Sequence, residues 1–495
     1  MVQPNILVLH CDQLRYDALG CTGHPGDPTP NIDALAAKGL AFTRHFAANP
    51  VCMPSRASFF TGMPVTAHGV WGNGVPMNRR EYLPFAAFQN DPANGRIPEL
   101  PTLADLLAEA GYATGAFGKL HLTPSVDVPG YDFPESDKRW ESGRNDHWHG
   151  PYFGFQHVEL THAHGECPGG HYEAWLRDTH PERYRKVRDN QNTAERPIAE
   201  VGDLHPSVLT YETHPSPWIG RRGLAWMEAQ TEPFCAFLGF PDPNHAFCAL
   251  DEDLAYFKGV EMIPPIDADS TARHDMDGCG ADVRHFMPEQ HDLVRRTTAA
   301  MVRTIDRAVG EVIDGLKAAG KWDNTVVLFT SDHGDYLGDH GRLRKSHRAA
   351  EQLLHVPCIV RLPDDFQPET SRLEMATSNT DILPTLMALA GVNVPDHVQG
   401  VDLFAGEGVS RYALAHGFKG NPEGANFSLM DERFRYTVYP RSGHKELFDH
   451  SVDRPECRNL SEDPEYAGDM ERLHAALAEA QLRAVNPISG RLASW

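Results

Sequence analysis

Apolar residues along the chain fall into two recurring patterns, short continuous runs and longer stretches with helical spacing. The continuous runs predict buried strands over 5–10, 113–117, 234–240, 325–330 and 356–361. The helical spacing predicts amphipathic helices over 30–39, 102–111, 302–320 and 382–391. Strands that alternate with such helices form a mostly parallel sheet covered by helices on both faces. The pattern therefore predicts an α/β fold.

Two segments depart from this alternation. Between 122 and 230 the periodicity weakens and Gly, Pro, His, Asp and Trp dominate, which predicts long loops with short helices over the sheet edge. Ordered loops of this kind usually determine binding specificity. From about 406 onward, short polar strands precede a terminal helix over 467–483. We therefore predict a main α/β domain over 1–405 and a small α+β subdomain over 406–495.

Composition and charge indicate which classes of partner the protein binds and in which cellular compartment it is found. The 495 residues carry 45 Lys and Arg against 68 Asp and Glu, and the formal charge of -23 argues against nucleic-acid and membrane partners. Nine cysteines, an odd number without close pairs, do not resemble a disulfide framework. The apolar run at Ile6–Leu9 is far shorter than a signal peptide core or a membrane span. We therefore expect a cytoplasmic protein whose mature fold begins at residue 1.

Polar side chains follow four of the predicted strands directly. They are Asp12 and Gln13, then Lys119 and His121, then Asp242, Asn244 and His245, and finally Asp332 and His333. In open α/β sheets, ligands bind beyond the carboxyl ends of the strands. Oxygen ligands with one imidazole suit a hard divalent cation better than a thiolate zinc site. Asp12 alone could be a turn cap, but the pair Asp332-His333 favours a metal site.

The segment around Cys52 carries a recognisable signature. Cys52, Pro54 and Arg56 form the pattern C-x-P-x-R. This pattern resembles, position by position, the signature of the type I sulfatases of the alkaline phosphatase superfamily. Further matching motifs follow in the family's order: Asp12-Gln13, Thr61-Gly62, Gly118–His121, Ser331–Gly334, Gly338–Gly341 with Lys345, Glu446–Asp449 and Asn459-Leu460. The resemblance covers nearly the whole chain. It implies an alkaline phosphatase-like fold.

The resemblance also implies a modified nucleophile. In that family a formylglycine-generating enzyme oxidises the signature cysteine to formylglycine (3-oxoalanine), so the resemblance implies this partner and this modification of Cys52. One oxygen of the hydrated aldehyde, activated by metal, attacks sulfur, and deprotonation of the other then expels sulfate by C–O cleavage. The implied reaction is hydrolysis of a small aryl, alkyl or sugar sulfate to alcohol or phenol and sulfate.

The resemblance assigns the metal ligands and the catalytic side chains residue by residue. The implied metal ligands are Asp12, Gln13, Asp332 and His333, completed by the modified Cys52. The expected ion is Ca²⁺, with Mn²⁺ or Mg²⁺ as alternatives. Arg56 lies one turn along a helix that begins near Cys52 and would hold the diol, while Lys119 and Lys345 would stabilise the sulfate oxygens. His121 or His245 would protonate the leaving oxygen.

Two positions depart from the commoner pattern of the family, and a third resembles one of its branches. Gln13 replaces the second residue of an Asp-Asp pair, and the same replacement occurs in the phosphonate monoester hydrolase branch. Asn73 resembles an asparagine of that branch that contacts substrate oxygens. Strict alignment places Asn244 on a usual histidine. Either His245 substitutes for that histidine, or Asn244 only donates a hydrogen bond.

Two other functions remain open from the sequence. A phosphonate monoester or phosphodiester hydrolase would use the same nucleophile, and a non-catalytic binding protein would keep the fold with Cys52 unmodified. The tail Ile488–Trp495 could pack on a second copy and form a homo-oligomer.

Overall fold

An eight-stranded sheet lies at the centre of the computed structural model, which describes residues 3–77, 79, 100–162, 166, 169–192, 201–202, 204–266, 280–363, 371–405, 412–418 and 424–484. In spatial order its strands are β10 (Arg372–Ser378), β2 (Leu40–Phe46), β9 (Cys358–Arg361), β7 (Thr325–Ser331), β1 (Asn5–Asp12), β5 (Phe234–Pro243), β3 (Ala113–Gly118) and β4 (His157–Leu160). Strand β9 runs antiparallel to β2 and β7. The neighbouring pairs β1–β5, β1–β7, β2–β10, β3–β4 and β3–β5 are parallel. The predicted mostly parallel α/β sheet is confirmed.

Helices cover both faces of this sheet. Their bounds in the described ranges are α1 (Pro30–Lys38), α2 (Cys52–Thr61), α3 (Val65–His68), α4 (Leu103–Glu109), α5 (Asp137–Glu141), α6 (Gly170–Thr179), α7 (Pro181–Asn192), α8 (Pro215–Ala229), α9 (Asp251–Tyr256), α10 (Pro288–Ala318), α11 (Glu351–Leu354), α12 (Ile382–Ala390) and α13 (Ala467–Arg483). None of the helices in this described part is both long and apolar enough to cross a lipid bilayer.

The central strand β1 shows why residues 6–9 are continuously apolar. Ile6 and Val8 belong to the hydrophobic core on one face of the sheet, which includes residues of α2, α4 and α12. Leu7 and Leu9 belong to the core on the other face, which includes residues of α1, α8 and α10. Successive side chains of a strand point to opposite faces, so a strand buried on both faces carries apolar residues at successive positions and not only at alternate ones.

The predicted elements are present, and two of them begin at a clearly different residue. The helix predicted over 302–320 begins earlier, at Pro288, and α10 is 31 residues long. Proline suits the first turn of a helix because its missing N–H has no partner there. The strand predicted from residue 356 begins at Cys358, because Pro357 before it has no N–H for the ladder.

The segment 122–230 contains more regular structure than predicted. Strand β4 extends the sheet edge by pairing with β3, and α8 is a 15-residue helix against the sheet. Its prolines and glycines resemble loop residues in the sequence. In the structure Pro215 lies in the first helical turn, and a Cβ added to Gly223 would lie 2.9 Å from Leu238 Cδ1. Gly223 therefore permits close packing of α8 against the sheet, and the expectation of only short helices in this segment is wrong.

A second, antiparallel sheet lies near the C-terminus. Its strands, in spatial and chain order, are β11 (Ala413–Gly417), β12 (Asn426–Met430), β13 (Phe434–Tyr439) and β14 (His444–Asp449), and α13 packs against it. A short two-stranded pair, β6 (Ala281–Asp282) with β8 (Arg342–Leu343), lies elsewhere. The predicted α+β region is therefore present. The boundary at 406 and the tail Ile488–Trp495 lie outside the described residues and stay predictions.

Candidate active site

The polar residues that follow the strands meet at one edge of the large sheet. Asp12 ends β1, Asp332 and His333 follow β7, and Lys119 follows β3. These four side chains have no solvent-exposed surface. Parallel strands place their carboxyl ends along a common edge, which explains why residues so distant in the sequence are neighbours.

Four side chains form a cluster that fits a metal ion. One ligand atom each from Asp12, Cys52, Asp332 and His333 lies within 4.8 Å of the other three. The Nδ1 atom of His333 lies 2.9 Å from the carbonyl oxygen of Gly334. Because a carbonyl can only accept, Nδ1 carries a proton, and Nε2 is the ring nitrogen that faces the cluster. Two carboxylates with one imidazole suit a hard divalent cation, which would take the place of the proton on Nε2.

Buried cations hold the two carboxylates of the cluster. Arg56 Nε lies 2.8 Å from Asp332 Oδ2, and Arg56 Nη2 lies 3.3 Å from Asp12 Oδ2. Lys119 Nζ lies 2.5 Å from the same Asp12 oxygen. Burial opposes ionisation of Asp12, but Lys119, Lys345 and Arg56 outweigh it and hold its pKa well below the usual range. Burial and the nearby Asp12 raise the pKa of Asp332, yet His333 and Arg56 leave it lowered.

Cys52 is the first residue of α2 and faces this cluster. Its Sγ lies 3.0 Å from Lys345 Nζ, 3.2 Å from His333 Nε2 and 3.8 Å from Asp12 Oδ1. Burial and Asp12 oppose loss of the thiol proton, but Lys345, His333 and Lys119 bring the pKa of Cys52 well below its usual value. The arrangement therefore stabilises negative charge at this position.

Asn73 is exposed and contacts the same helix start. Its Oδ1 accepts a hydrogen bond of 3.0 Å from the backbone N–H of Met53. This bond satisfies one of the unpaired donors in the first turn of α2. A contact between Asn73 and substrate oxygens stays a prediction.

Gln13 connects the cluster to an acidic residue that sequence reasoning missed. The Gln13 Oε1 atom accepts a 3.0 Å hydrogen bond from Lys345 Nζ, and its Nε2 donates to Asp335. Asp335 is buried and also accepts from the backbone N–H groups of Leu337 and Arg344. The sequence feature that could have identified Asp335 is its position directly after the matched motif Ser331–Gly334. Metal ligation by Gln13 stays a prediction.

Asn244 and His245 take different places at the end of β5. Asn244 is buried, and its Nδ2 donates a 2.5 Å hydrogen bond to Asp12 Oδ1. His245 is only partly buried, and its Nδ1 lies 3.5 Å from Gln13 Nε2. Burial, with Lys345 and Arg344, lowers the pKa of His245 to about 3. Asn244 therefore orients a predicted metal ligand, whereas His245 lies at the rim of the site.

Lys119 reaches the cluster because β3 ends in a close approach to β5. Gly118 has a φ of 92°, and a Cβ at this position would lie 2.1 Å from the carbonyl oxygen of Gly239. Only glycine fits such a contact in the left-handed region. His121, two residues beyond Lys119, is nine-tenths buried, and its Nδ1 has no hydrogen-bond partner among the described residues.

Comparison with known proteins identifies the family of this chain. The sulfatase family model matches residues 4–392, and the model of the N-sulphoglucosamine sulphohydrolase C-terminal region matches residues 338–483. An arylsulfatase of Clostridium perfringens is 26% identical over 485 residues, which cover 94% of this chain and 92% of its own. A choline-sulfatase of Rhizobium meliloti is 27% identical over 529 residues, 97% of this chain and 90% of its own.

A solved structure extends the comparison. The phosphonate monoester hydrolase of Agrobacterium radiobacter superposes with a TM-score of 0.77 at 25% identity, covering 98% of this chain and 96% of that one. The family model spans most of the chain, including Cys52 and every predicted metal ligand. The chain therefore belongs to the sulfatase family, within the alkaline phosphatase-like superfamily.

Proposed function

We propose that this protein hydrolyses a small sulfate monoester, using a formylglycine formed from Cys52. The observation that carries the proposal is the position of Cys52 Sγ. This sulfur belongs to the cluster of four possible metal ligands and lies 3.0 Å from Lys345 Nζ. The oxygens of a formylglycine would occupy the place of this sulfur. The chain carries a formal charge of -23, but Arg56, Lys119 and Lys345 concentrate positive charge at this site, which favours an anionic ester.

The side chains of the site would divide the work as follows. Asp12, Asp332 and His333, with Gln13 and the modified Cys52, would hold one divalent cation, Ca²⁺ in our proposal and Mn²⁺ or Mg²⁺ as alternatives. When bound, such an ion supplies Lewis-acid polarisation of the reacting oxygens. Lys119 and Lys345 would neutralise charge on the sulfate oxygens, and Arg56 would fix both carboxylates.

We assign protonation of the leaving oxygen to His121, with His245 as the alternative. His121 keeps a buried Nδ1 without a partner in the described structure, and a buried polar atom of this kind is expected to bind substrate or water. His245 is less buried than His121, and its Nδ1 lies 3.5 Å from Gln13 Nε2. Asn244 would act by orienting Asp12.

A second candidate function is hydrolysis of a phosphonate monoester or phosphodiester with the same nucleophile. Gln13 favours it, and so does the likeness to the phosphonate monoester hydrolase of Agrobacterium radiobacter. Rates on 4-nitrophenyl sulfate and on 4-nitrophenyl phenylphosphonate distinguish the two reactions. We expect the sulfate to give the larger kcat/KM, and a dominant phosphonate activity would replace the first proposal by the second.

The test of the nucleophile is the mass of the tryptic peptide 45–56, from protein produced together with a formylglycine-generating enzyme. Conversion of Cys52 to formylglycine lowers the mass by about 18 Da. The variant Cys52→Ala, treated identically, is the matched control and shows no such loss. An unshifted peptide, with the maturation enzyme active on a control substrate, would favour the non-catalytic binding protein.

We also propose a cytoplasmic location without nucleic-acid or membrane partners. Support comes from the acidic net charge and from the seven cysteines in the described ranges, all of which are free thiols. A homo-oligomer through the terminal tail is a further proposal, and a light-scattering mass equal to one chain would exclude it.

A further inference from the structure

A buried carboxylate holds the turn that carries Lys119 and His121. Glu135 Oε2 accepts a 2.8 Å hydrogen bond from the backbone N–H of His121. Its Oε1 accepts from the backbone N–H groups of Leu122, at 2.8 Å, and Thr123, at 3.1 Å. Three successive N–H groups therefore converge on one carboxylate. Such a concave set of backbone donors is a nest, an anion-binding arrangement of the main chain.

The turn needs this support because of its backbone conformation. His121 has a φ of 55°, in the left-handed region that is unfavourable for residues other than glycine. A conformation of this kind persists only where the surroundings stabilise it. Glu135 is 1% exposed, so water does not replace its hydrogen bonds in the folded protein.

Glu135 is itself fixed by its neighbours. The Tyr152 hydroxyl donates to Glu135 Oε1 at 2.7 Å. The carbonyl oxygen of Pro134, the preceding residue, accepts from Trp140 Nε1 at 3.0 Å and from Asn145 Nδ2 at 2.9 Å. We call the three hydrogen bonds from Glu135 to the turn at 121–123 the Glu135 clamp. The carboxylate of this clamp belongs to the segment 122–230, whose loops are expected to determine specificity, and it holds a turn at the edge of the sheet that carries the site.

We propose that Glu135 is a positioning residue that sets the orientation of His121 for proton donation to the leaving oxygen. The inference rests on the role of His121 in the proposed function. Glu135 touches only backbone groups and Tyr152 in the contacts described above, so it acts through the turn and not on substrate.

The substitution Glu135→Gln tests this role with little change of shape. An amide has a single acceptor oxygen, and three of the four donors meet Oε1. The amide oxygen of the substituted side chain is therefore expected to take the place of Oε1. The amide NH₂ then faces the backbone N–H of His121, and because both groups are donors, this hydrogen bond is lost. Tyr152→Phe is the matched control, because it removes one donor from Oε1 and leaves the bond to His121 intact.

The discriminating measurement is the dependence of kcat on the leaving group. In Glu135→Gln we expect kcat on phenyl sulfate, which has a poor leaving group, to fall about 100-fold. On 4-nitrophenyl sulfate, whose leaving group needs little protonation, we expect a fall of about threefold or less, with KM nearly unchanged. In a His121→Ala background the same substitution should cost less than about twofold, because the two residues act as one unit.

Equal losses on both substrates, or additive losses in the double variant, would overturn the inference and leave Glu135 a structural residue. A wild-type enzyme that hydrolyses only phosphonate esters would instead overturn the proposed sulfatase activity, and the same comparison then uses phenyl and 4-nitrophenyl phosphonates. Hydrogen exchange of the backbone amide of His121, which loses its acceptor in Glu135→Gln, gives a readout without turnover. It should accelerate in Glu135→Gln and not in Tyr152→Phe, and unchanged exchange would also refute the Glu135 clamp.

Discussion

Arg56 and Asp332 form an ion pair with no exposed surface on either side chain, with 2.8 Å between Arg56 Nε and Asp332 Oδ2. The same guanidinium donates through Nη1 to the carbonyl oxygen of Lys119 at 2.9 Å and pairs through Nη2 with Asp12. One side chain of the signature segment therefore joins the ends of β1, β3 and β7. A planar guanidinium with donors in a fixed fork can do this, whereas a lysine cannot.

Removing Arg56 should destabilise the protein strongly. Arg56→Ala leaves two buried carboxylates without their shared partner, and we expect the free energy of unfolding to fall by about 3–5 kcal/mol. Arg221→Ala is the control, because Arg221 pairs with Glu311 at the surface and its loss should cost less than about 1 kcal/mol. Urea denaturation measures both. Equal effects of the two substitutions would contradict the role of Arg56 as the central cation of the site.

Asp332 should be necessary for metal binding. Asp332→Ala removes one of two carboxylates from the donor cluster, and we expect the metal content of the purified protein to fall from about one ion per chain to near zero. Asp306→Asn is the control, since Asp306 is buried but caps the start of α1. Inductively coupled plasma mass spectrometry provides the measurement. An unchanged metal content in Asp332→Ala would refute the metal site.

Lys345 should affect turnover more than folding. Its Nζ lies 3.0 Å from both Cys52 Sγ and Gln13 Oε1, and Lys345→Met removes this charge from the reacting centre. We expect kcat on an aryl sulfate to fall about 100-fold or more. The control Lys317→Met changes a half-exposed lysine on α10 and should leave kcat unchanged. A Lys345→Met enzyme with normal kcat would exclude Lys345 from transition-state stabilisation.

Asn244 and His245 should be separable by their different readouts. Asn244→Ala removes the hydrogen bond to Asp12 Oδ1, so we expect weaker metal affinity, about 10-fold or more, measured by titration of the metal-free protein. His245→Gln should leave metal affinity unchanged. If His245→Gln also reduces kcat most with poor leaving groups, His245 and not His121 is the proton donor.

Acid should destabilise the protein through buried neutral histidines. His68 Nδ1 accepts from the backbone N–H of Val70, and Nε2 pairs with Ser58 Oγ. Burial, with His416 nearby, lowers the pKa of His68 to about 3, against 6.5 when unfolded. The unfolded chain therefore binds more protons between these values, so this contribution is complete above pH 6.5 and is lost as the pH falls.

The expected slope is about 1.4 kcal/mol per pH unit below 6.5 for this residue. His68→Gln should reduce the dependence of unfolding free energy on pH by that amount, and the exposed His147→Gln should not. Urea denaturation at pH 5, 6 and 7 gives the free energy of unfolding of both variants and of the unsubstituted protein. An unchanged slope in His68→Gln would show that His68 does not remain neutral in the folded protein.

The sequence was most informative where periodicity and motif order carry the signal. Apolar runs such as Ile6–Leu9 predicted the central strands, because a strand buried on both faces carries apolar side chains at successive positions. The helix α8 was missed, because its prolines and glycines serve helix initiation and close packing instead of a loop. Local composition does not distinguish those uses.

The sequence alone determined the α/β class, the family resemblance and the residue types needed for a hard-cation site with a cysteine-derived nucleophile. Only the tertiary structure decided which groups share a partner. Arg56 joins Asp12 and Asp332, Asn244 orients Asp12, and Glu135 holds the backbone of His121. These contacts depend on strand ends brought together by sheet order and on main-chain N–H groups, which every residue except proline carries and which leave no mark in the sequence.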